Sequence, residues 1–360
     1  MEGLALMVVS TSSGFWQNKR VLVTGHTGFK GTWLTLYLKR LGALVTGLSL
    51  PPNTTPSLFT LVDGQALCKS NLCDVRDSQK VLAVVREASP EIVFHLAAQP
   101  LVRASYADPL STFGTNVMGT AHLLDALRQS ESVRVAVMVT TDKVYLPTET
   151  LWPFRETDAL GGHDPYSSSK AASELIIDCY RKSFLAEQGL ALASARAGNV
   201  VGGGDWSPDR LIPDAIRAWQ TDTILEIRRP EAIRPWQHVL DPLSGYLTLA
   251  QTLWGDQAAA GAYNFGPPTS EAASVRQVIE QARAHYCTAK VAYATDLVGP
   301  HESAYLTLEV IKSKQKLGFA PRWSLEETIR RTMHWYSKQY AGANTYQLCL
   351  DDIEAYEAAI

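Results

Sequence analysis

The chain is poor in the features that would mark several protein classes. It has five cysteines in 360 residues, at positions 68, 73, 179, 287 and 349, an odd number with no C-x-x-C pair. That argues against a disulfide framework or a zinc site and fits a reducing cytoplasm. Neither sign of charge dominates: 33 Lys and Arg stand against 36 Asp and Glu, a net charge of −3. A nucleic-acid or anionic-membrane surface is therefore not expected. No apolar run has the length needed to span a bilayer. Residues 1–14 include a short apolar stretch without the basic start of a signal peptide, and read as an extension ahead of the first strand. Internal repeats, low-complexity tracts and a flexible interdomain linker are missing too, and no metal site is expected.

The composition that remains, 46% hydrophobic and 19% charged, is that of an ordinary globular chain. Its length exceeds what one core usually organises, which predicts one large domain and a smaller one. Residues 1–198 form the expected first domain. Residues 199–360 form mainly a second lobe, with some segments returning to the first.

The stretch from Arg20 to Leu41 organises the first domain. Val21, Leu22 and Val23 are a short apolar burst, as a buried parallel strand should be. Gly25, Gly28 and Gly31 follow at a spacing of three. Leu34, Tyr37, Leu38 and Leu41 then recur with a helical period. A strand, glycine turn and helix in this order predict a dinucleotide site. The first glycine permits the turn, the second lets a pyrophosphate approach, and the third lets helix and strand pack. The helix N-terminus offers its N–H groups to the phosphates.

Further strands are predicted over Leu44–Leu50, Ala66–Ser70, Ile92–Leu96 and Val135–Thr140, and helices over Ser78–Ala88, Pro109–Arg128 and Tyr166–Glu187. The fold class is α/β, a Rossmann doubly wound parallel sheet with a smaller C-terminal substrate-binding lobe. The second strand ends in Ser49, Leu50, Pro51 and Pro52. It carries neither an acid for a ribose hydroxyl nor an arginine for a 2′-phosphate, so charge there does not separate NAD from NADP. Ser324 begins a capped helix, and the last residues are acidic and loosely patterned.

The fifth strand leads into Thr141, Asp142 and Lys143, where ligands of doubly wound sheets bind. Tyr166 and Lys170 follow, at i and i+4 on one helix face. A tyrosine ionises near pH 10 and is a poor base at neutrality. A lysine one turn away and a cationic nicotinamide are expected to lower that value. The phenolate can then accept an alcohol proton as hydride leaves the carbon, with Thr141 holding the same oxygen.

The G-x-x-G-x-x-G spacing, Thr141 and the Tyr166–Lys170 pair resemble the extended short-chain dehydrogenase/reductases. Within them, Thr-Asp-Glu at this strand end is typical of nucleoside-diphosphohexose 4,6-dehydratases. Thr141-Asp142-Lys143, the loop Gly25-His26-Thr27-Gly28-Phe29-Lys30-Gly31, Gly198–Trp206, Arg234–Val239 and His301-Glu302 resemble the CDP-glucose 4,6-dehydratases over most of the chain.

That resemblance implies a lyase converting CDP-glucose to CDP-4-keto-6-deoxyglucose, a deoxysugar precursor. The implied steps are C4 oxidation by Tyr166, loss of water across C5 and C6 with Asp142 as acid, and hydride return to C6. Lys143 is implied either to take the C5 proton or to stabilise the enolate as an ammonium. The implied cofactor is NAD, tightly retained, with NADP not excluded. Gly25, His26, Thr27, Gly28, Phe29, Lys30, Gly31, Asp74, Val75, Leu96, Ala97, Ala98, Asn116, Tyr166 and Lys170 are implied to hold it. Gln99, Asn199, Arg210, Leu211, Glu226, Ile227, Arg234, His301 and Tyr305 are implied to hold the substrate. A homodimer or homotetramer is implied, joined through Pro109–Arg128 and Tyr166–Glu187. The alternatives are a TDP-glucose or GDP-mannose dehydratase, a C4 epimerase, or an inactive dinucleotide sensor.

Overall fold

A computed structural model describes residues 13–148, 150–286, 289–294 and 303–359. His301, implied to hold substrate, lies outside the described residues, as do Cys287 and most of the N-terminal extension.

Six strands, β1 (Arg20–Thr24), β2 (Leu44–Ser49), β3 (Lys69–Leu72), β4 (Ile92–His95), β5 (Val135–Val139) and β6 (Ala191–Ala197), form a parallel sheet with Ala262–Phe265. The spatial order is Ala262–Phe265, β6, β5, β4, β1, β2, β3. The chain reverses direction across the sheet between β1 and β4, which opens a crevice at their carboxyl ends.

Both faces of the sheet are covered, so the central strands read as continuous apolar runs. Side chains alternate between the faces. Val21 and Val23 of β1 enter one core cluster and Leu22 enters the other. Val135 and Val137 of β5 join the first, and Ala136 and Met138 the second. The buried helix Leu240–Gly255 packs across β5 and β6.

Two helices carry most of the candidate site. Phe29–Arg40 follows the glycine turn. Pro165–Tyr180 begins with a capping box in which Asp164 accepts from the Ser167 N–H and Ser167 returns a bond to Asp164. The helix expected over residues 109–128 is continuous in its path, but residues 114–118 form a π turn between Pro109–Phe113 and Gly119–Arg128. The expected run to Glu187 likewise turns π over Arg181–Leu185.

One expected boundary is corrected, and the loosely patterned tail takes a definite form. The third strand is Lys69–Leu72, because Gly64–Ala66 forms a 3₁₀ turn that uses up the start of the expected segment. The acidic tail is a helix, Thr345–Ala358, capped by Asn344. Its apolar pattern is weak, yet Ile353 and Tyr356 are buried. Arg40 at the end of the glycine-loop helix binds Glu354 at 3.0 Å and Glu357 at 3.1 Å from the other side.

Candidate active site

The turn after β1 requires glycine for two different reasons. Gly25 has φ +75°, and a Cβ there would lie 2.7 Å from the Ala97 nitrogen. A Cβ on Gly31 would lie 2.0 Å from the Gly25 carbonyl oxygen, so the helix closes onto the strand only with glycine there. Gly28 is exposed, and a Cβ there would meet only the Gly25 oxygen, at 3.4 Å. The space beside it belongs to a cleft. The helix Phe29–Arg40 starts at that point with no side-chain cap and no acid in its first turn. Its leading N–H groups are left for an anion. A glycine cradle beneath an uncapped helix fits the pyrophosphate of a dinucleotide.

The cleft has a volume of about 630 Å³, within the range of ligand pockets. It runs from the glycine loop across the ends of the central strands to the C-terminal lobe. Thr141, Asp142, Lys143, Tyr166 and Lys170 all line it.

Asp142 is buried just past β5. Its Oδ1 accepts from the Thr141 hydroxyl at 2.9 Å, while Oδ2 has no hydrogen-bond partner among the described residues. Gly198 leaves room for this oxygen, since a Cβ there would lie 2.4 Å from it. Burial pushes the Asp142 carboxyl up, against the pull of Lys143, Arg234 and Lys30. Burial thus favours the protonated form of this carboxyl, the form a general acid needs.

Burial also pushes the Tyr166 phenol up to about 12, although Thr141 hydrogen-bonds to it and Arg210 opposes the shift. The expectation of a lowered Tyr166 value is therefore corrected for the protein alone. Desolvation outweighs nearby charge, and Lys170 gives its ammonium hydrogen to the Val139 carbonyl at 3.4 Å. Burial brings Lys170 itself down to about 8, with Glu174 opposing. Lys30, half-buried, is brought down to about 7 by burial and by Arg210 and Lys170 beside it.

Gly25, Thr27, Gly28, Phe29, Lys30, Gly31, Asp74, Val75, Leu96, Ala97 and Ala98 also meet on the cleft wall. Thr27 donates to the Leu50 carbonyl at 2.8 Å and pairs with the Ser49 hydroxyl at 2.8 Å. Asp74 is tied to Arg76 at 2.6 Å, which holds its carboxyl below the usual range. On the lobe side, Asn199, Arg210, Leu211, Glu226, Ile227 and Arg234 line the same space.

Four expected residues stand off the cleft wall. The His26 ring is buried under the loop, 2.7 Å from the Ser70 hydroxyl and edge-on to Phe59, and burial lowers it to about 4. Gly47 has no side chain because that ring fills the space. Asn116 is buried in the π turn. Its amide accepts from the Gln99 N–H at 2.8 Å and donates to the Ser169 hydroxyl at 2.8 Å. Gln99 folds back onto Leu101 and Thr112. Tyr305 bridges Ile233, one residue from Arg234. His95, read as structural, is buried between Thr24 at 2.7 Å and Thr120 at 3.1 Å.

The sequence reading missed several cleft residues. Asp205 is buried and holds Arg210 at 2.8 Å. Arg103, Arg228 and Arg229 bring further positive charge to the wall. Their only sequence signal is the Arg-Arg pair just after Ile227.

A model of the GDP-mannose 4,6 dehydratase family matches residues 22–332. The CDP-glucose 4,6-dehydratase of Salmonella typhimurium is 44% identical over 351 residues, covering 96% of this chain and 98% of that protein. A dTDP-glucose 4,6-dehydratase of Xanthomonas campestris is 28% identical, over 88% of this chain and 92% of its own. Among solved structures, a UDP-glucose-4-epimerase from Stenotrophomonas maltophila with bound NAD superposes with a TM-score of 0.77 at 23% identity, covering 91% of this chain and all of that one. MoeE5 in complex with UDP-glucuronic acid and NAD gives 0.74 at 25% identity, over 89% and 99%. With the glycine cradle, the Tyr166–Lys170 helix and a family match across most of its length, the chain belongs to the GDP-mannose 4,6 dehydratase family.

Proposed function

We propose that this protein is an NAD-dependent hydro-lyase that converts CDP-D-glucose to CDP-4-keto-6-deoxyglucose and water. The observation that carries the reading is Asp142, a buried carboxyl with one free oxygen, next to Thr141 and Tyr166 at the mouth of β5. A C4 epimerase has no hydroxyl to expel and no need of such an acid. The near-complete match to a CDP-glucose 4,6-dehydratase supports the choice of nucleotide.

NAD, when bound in the glycine cradle, supplies the hydride acceptor at C4 and the hydride donor at C6. The chain's own groups do the rest. Thr141 and Tyr166 hold the C4 oxygen, and Tyr166 takes its proton once Lys170 and the cofactor's positive ring offset the cost of burial. The resulting C4 ketone acidifies C5–H. Lys143, half-buried on the wall, takes that proton or stabilises the enolate, and a solvent-derived proton is added back at C5 once C6 has been reduced. Asp142 gives its proton to the departing C6 hydroxyl. Arg210 and Arg234 suit the substrate diphosphate through planar, multiply donating guanidinium groups. Glu226 and Ile227 present an extended edge to the base.

The division near residue 198 into a cofactor domain and a substrate lobe is part of this reading. The return of Ala262–Phe265 to the main sheet supports a lobe that is not fully separate. A homodimer or homotetramer is proposed as well. Leu110 and Leu175 are 83% and 61% exposed on the two helices expected to join subunits, with Phe113, Met118 and Phe184 exposed nearby. A cytoplasmic setting fits the four described cysteines, all free thiols. No helix among the described residues is long and apolar enough to cross a membrane.

The test is NMR analysis of the pure protein mixed with CDP-glucose in deuterated water, with and without added NAD. A 4-keto-6-deoxy product with deuterium at C5 is expected. Conversion of TDP-glucose or GDP-mannose instead would keep the chemistry and overturn the nucleotide assignment. Conversion of no sugar nucleotide would leave the dinucleotide sensor.

A further inference from the structure

Beneath the cleft lies a buried charge network that the reaction scheme does not use. Glu174 sits one turn beyond Lys170 on the helix Pro165–Tyr180 and is buried. Its Oε1 accepts from the Thr140 hydroxyl at 2.5 Å. Its Oε2 accepts from the Ser194 hydroxyl at 2.8 Å and from the Arg196 guanidinium at 2.8 Å. Arg196, on β6, is buried as well, and its other arm donates to the Tyr145 hydroxyl at 2.9 Å. Tyr145 in turn donates to Asn264 at 2.6 Å.

The placement of these contacts is specific. Thr140 immediately precedes Thr141, and Tyr145 lies two residues beyond Lys143. The network therefore grips the catalytic segment on both flanks. It ties that segment to the helix bearing Tyr166 and Lys170, to β6 and to the strand Ala262–Phe265. A buried ion pair is weak evidence for stability, because desolvation offsets most of the attraction. Two hydrophobic residues would fill the same volume with less risk. A pair kept here is better explained by geometry and charge at the site above it.

We propose that Glu174, held by Arg196, is a positioning residue that fixes the Thr141–Lys143 segment against the catalytic helix and supplies the counter-charge to Lys170. The groups facing Lys170 make this necessary. Lys30 from the glycine loop is lowered to about 7, partly by the Lys170 charge, His95 on β4 is held neutral by burial, and Tyr166 lies one turn back. Glu174 is the negative charge acting on Lys170 from its own helix. Removing it leaves Lys170 in a desolvated site without that counter-charge, which favours the free amine.

The inference rests on the dehydratase reading only for the roles of the residues it holds, so its first test does not use turnover. Full-length protein carrying [ε-¹³C]lysine is titrated by NMR, with the Lys170 signal identified by its loss in Lys170→Arg. Glu174→Gln keeps the shape and the acceptor for Thr140. Glu174→Gln/Arg196→Met removes the whole pair, so that no buried charge is left alone if the single variant folds poorly. The Lys170 titration is expected to fall by about one pH unit in whichever of these folds. An unchanged Lys170 titration in a folded variant overturns the proposal. If the wild type turns over CDP-glucose, the variants should also lose about 10- to 100-fold in kcat, with a displaced pH profile and little change in KM. Wild-type kcat and pH profile in the folded double variant would equally overturn it. A wild type without turnover would sink the functional reading alone and leave the lysine titration to decide this one.

Discussion

The two walls of the cleft are built in opposite ways. The sheet-side wall carries Thr141, Asp142, Tyr166 and Lys170 on the end of a buried strand and the first turns of a capped helix. All four are buried, and the titrations of Asp142, Tyr166 and Lys170 are shifted by desolvation more than by neighbouring charge. The lobe-side wall carries Arg210, Glu226, Arg228 and Arg229 on loops and a short strand, partly open to water, with Arg234 buried among them. The difference teaches where chemistry and recognition are placed. Proton transfer needs groups held still in a low dielectric. Gripping a diphosphate needs fixed positive charge, which arginine keeps in almost any surroundings.

Substitutions on the two walls should therefore separate kcat from KM. The largest effect is expected from Tyr166→Phe, which removes the group proposed to take the C4 proton. A loss in kcat of about 10²–10⁴-fold is expected, with no transient reduced cofactor in stopped-flow absorbance. Asp142→Asn should cost nearly as much, about 10²–10³-fold, but at a later step. C4 oxidation and exchange of C5–H with deuterated solvent should persist while product fails to accumulate. The sign of the pH effect follows from the raised carboxyl. In the proposed reaction Asp142 acts while protonated, so wild-type kcat should fall as pH rises through its titration, and the variant should lack that limb.

On the lobe side, Arg234→Met should raise KM about 10-fold, the worth of one charge-assisted hydrogen bond, and leave kcat within a few-fold. An effect mainly on kcat would collapse the distinction between the walls. Arg228→Met, at the exposed rim, should change KM by a few-fold at most.

The smallest expected effect concerns stability in the lobe, away from either wall. Burial raises Asp241 to about 6, although Tyr356 donates to it at 2.8 Å and the Arg322 N–H at 2.9 Å. A folded-state value above the unfolded one means that its stabilising contribution is complete below about pH 4 and is lost as pH rises through about 6. Asp241→Asn should therefore flatten the decline of Tm between about pH 4 and about pH 6, by ~2–4 °C. A wild-type Tm independent of pH over that range would contradict the assignment.

Much of the sheet-side wall was legible in the sequence. Gly25 and Gly31 announce a backbone approach that side chains forbid, and Val135–Val139 announces a strand buried on both faces. Tyr166 and Lys170 share a helix face by spacing alone. The lobe was harder to read. Asp205 carries no pattern, and only the fold of residues 205–210 puts it on Arg210. The Leu240–Gly255 helix is apolar nearly all round, so no amphipathic stripe marks it. His26 sits within the most recognisable motif of the chain, yet it turns inward, because Ser70 and the gap at Gly47 lie beneath the loop.

What the sequence determined by itself was local. Period, glycine spacing and capping residues depend on neighbours a few positions apart, and they specified the alternation of strands and helices, the dinucleotide turn and the catalytic pair. What tertiary structure alone decided was the state of those groups. The Asp142 carboxyl is raised by burial, in a space that Gly198, distant in the chain, leaves open for its unpartnered oxygen. Tyr166 resists ionisation because the folded chain buries it. Glu174 meets Arg196 only when helix and β6 come together. Burial and electrostatics sum over everything nearby in space, and that sum exists only after the chain has folded.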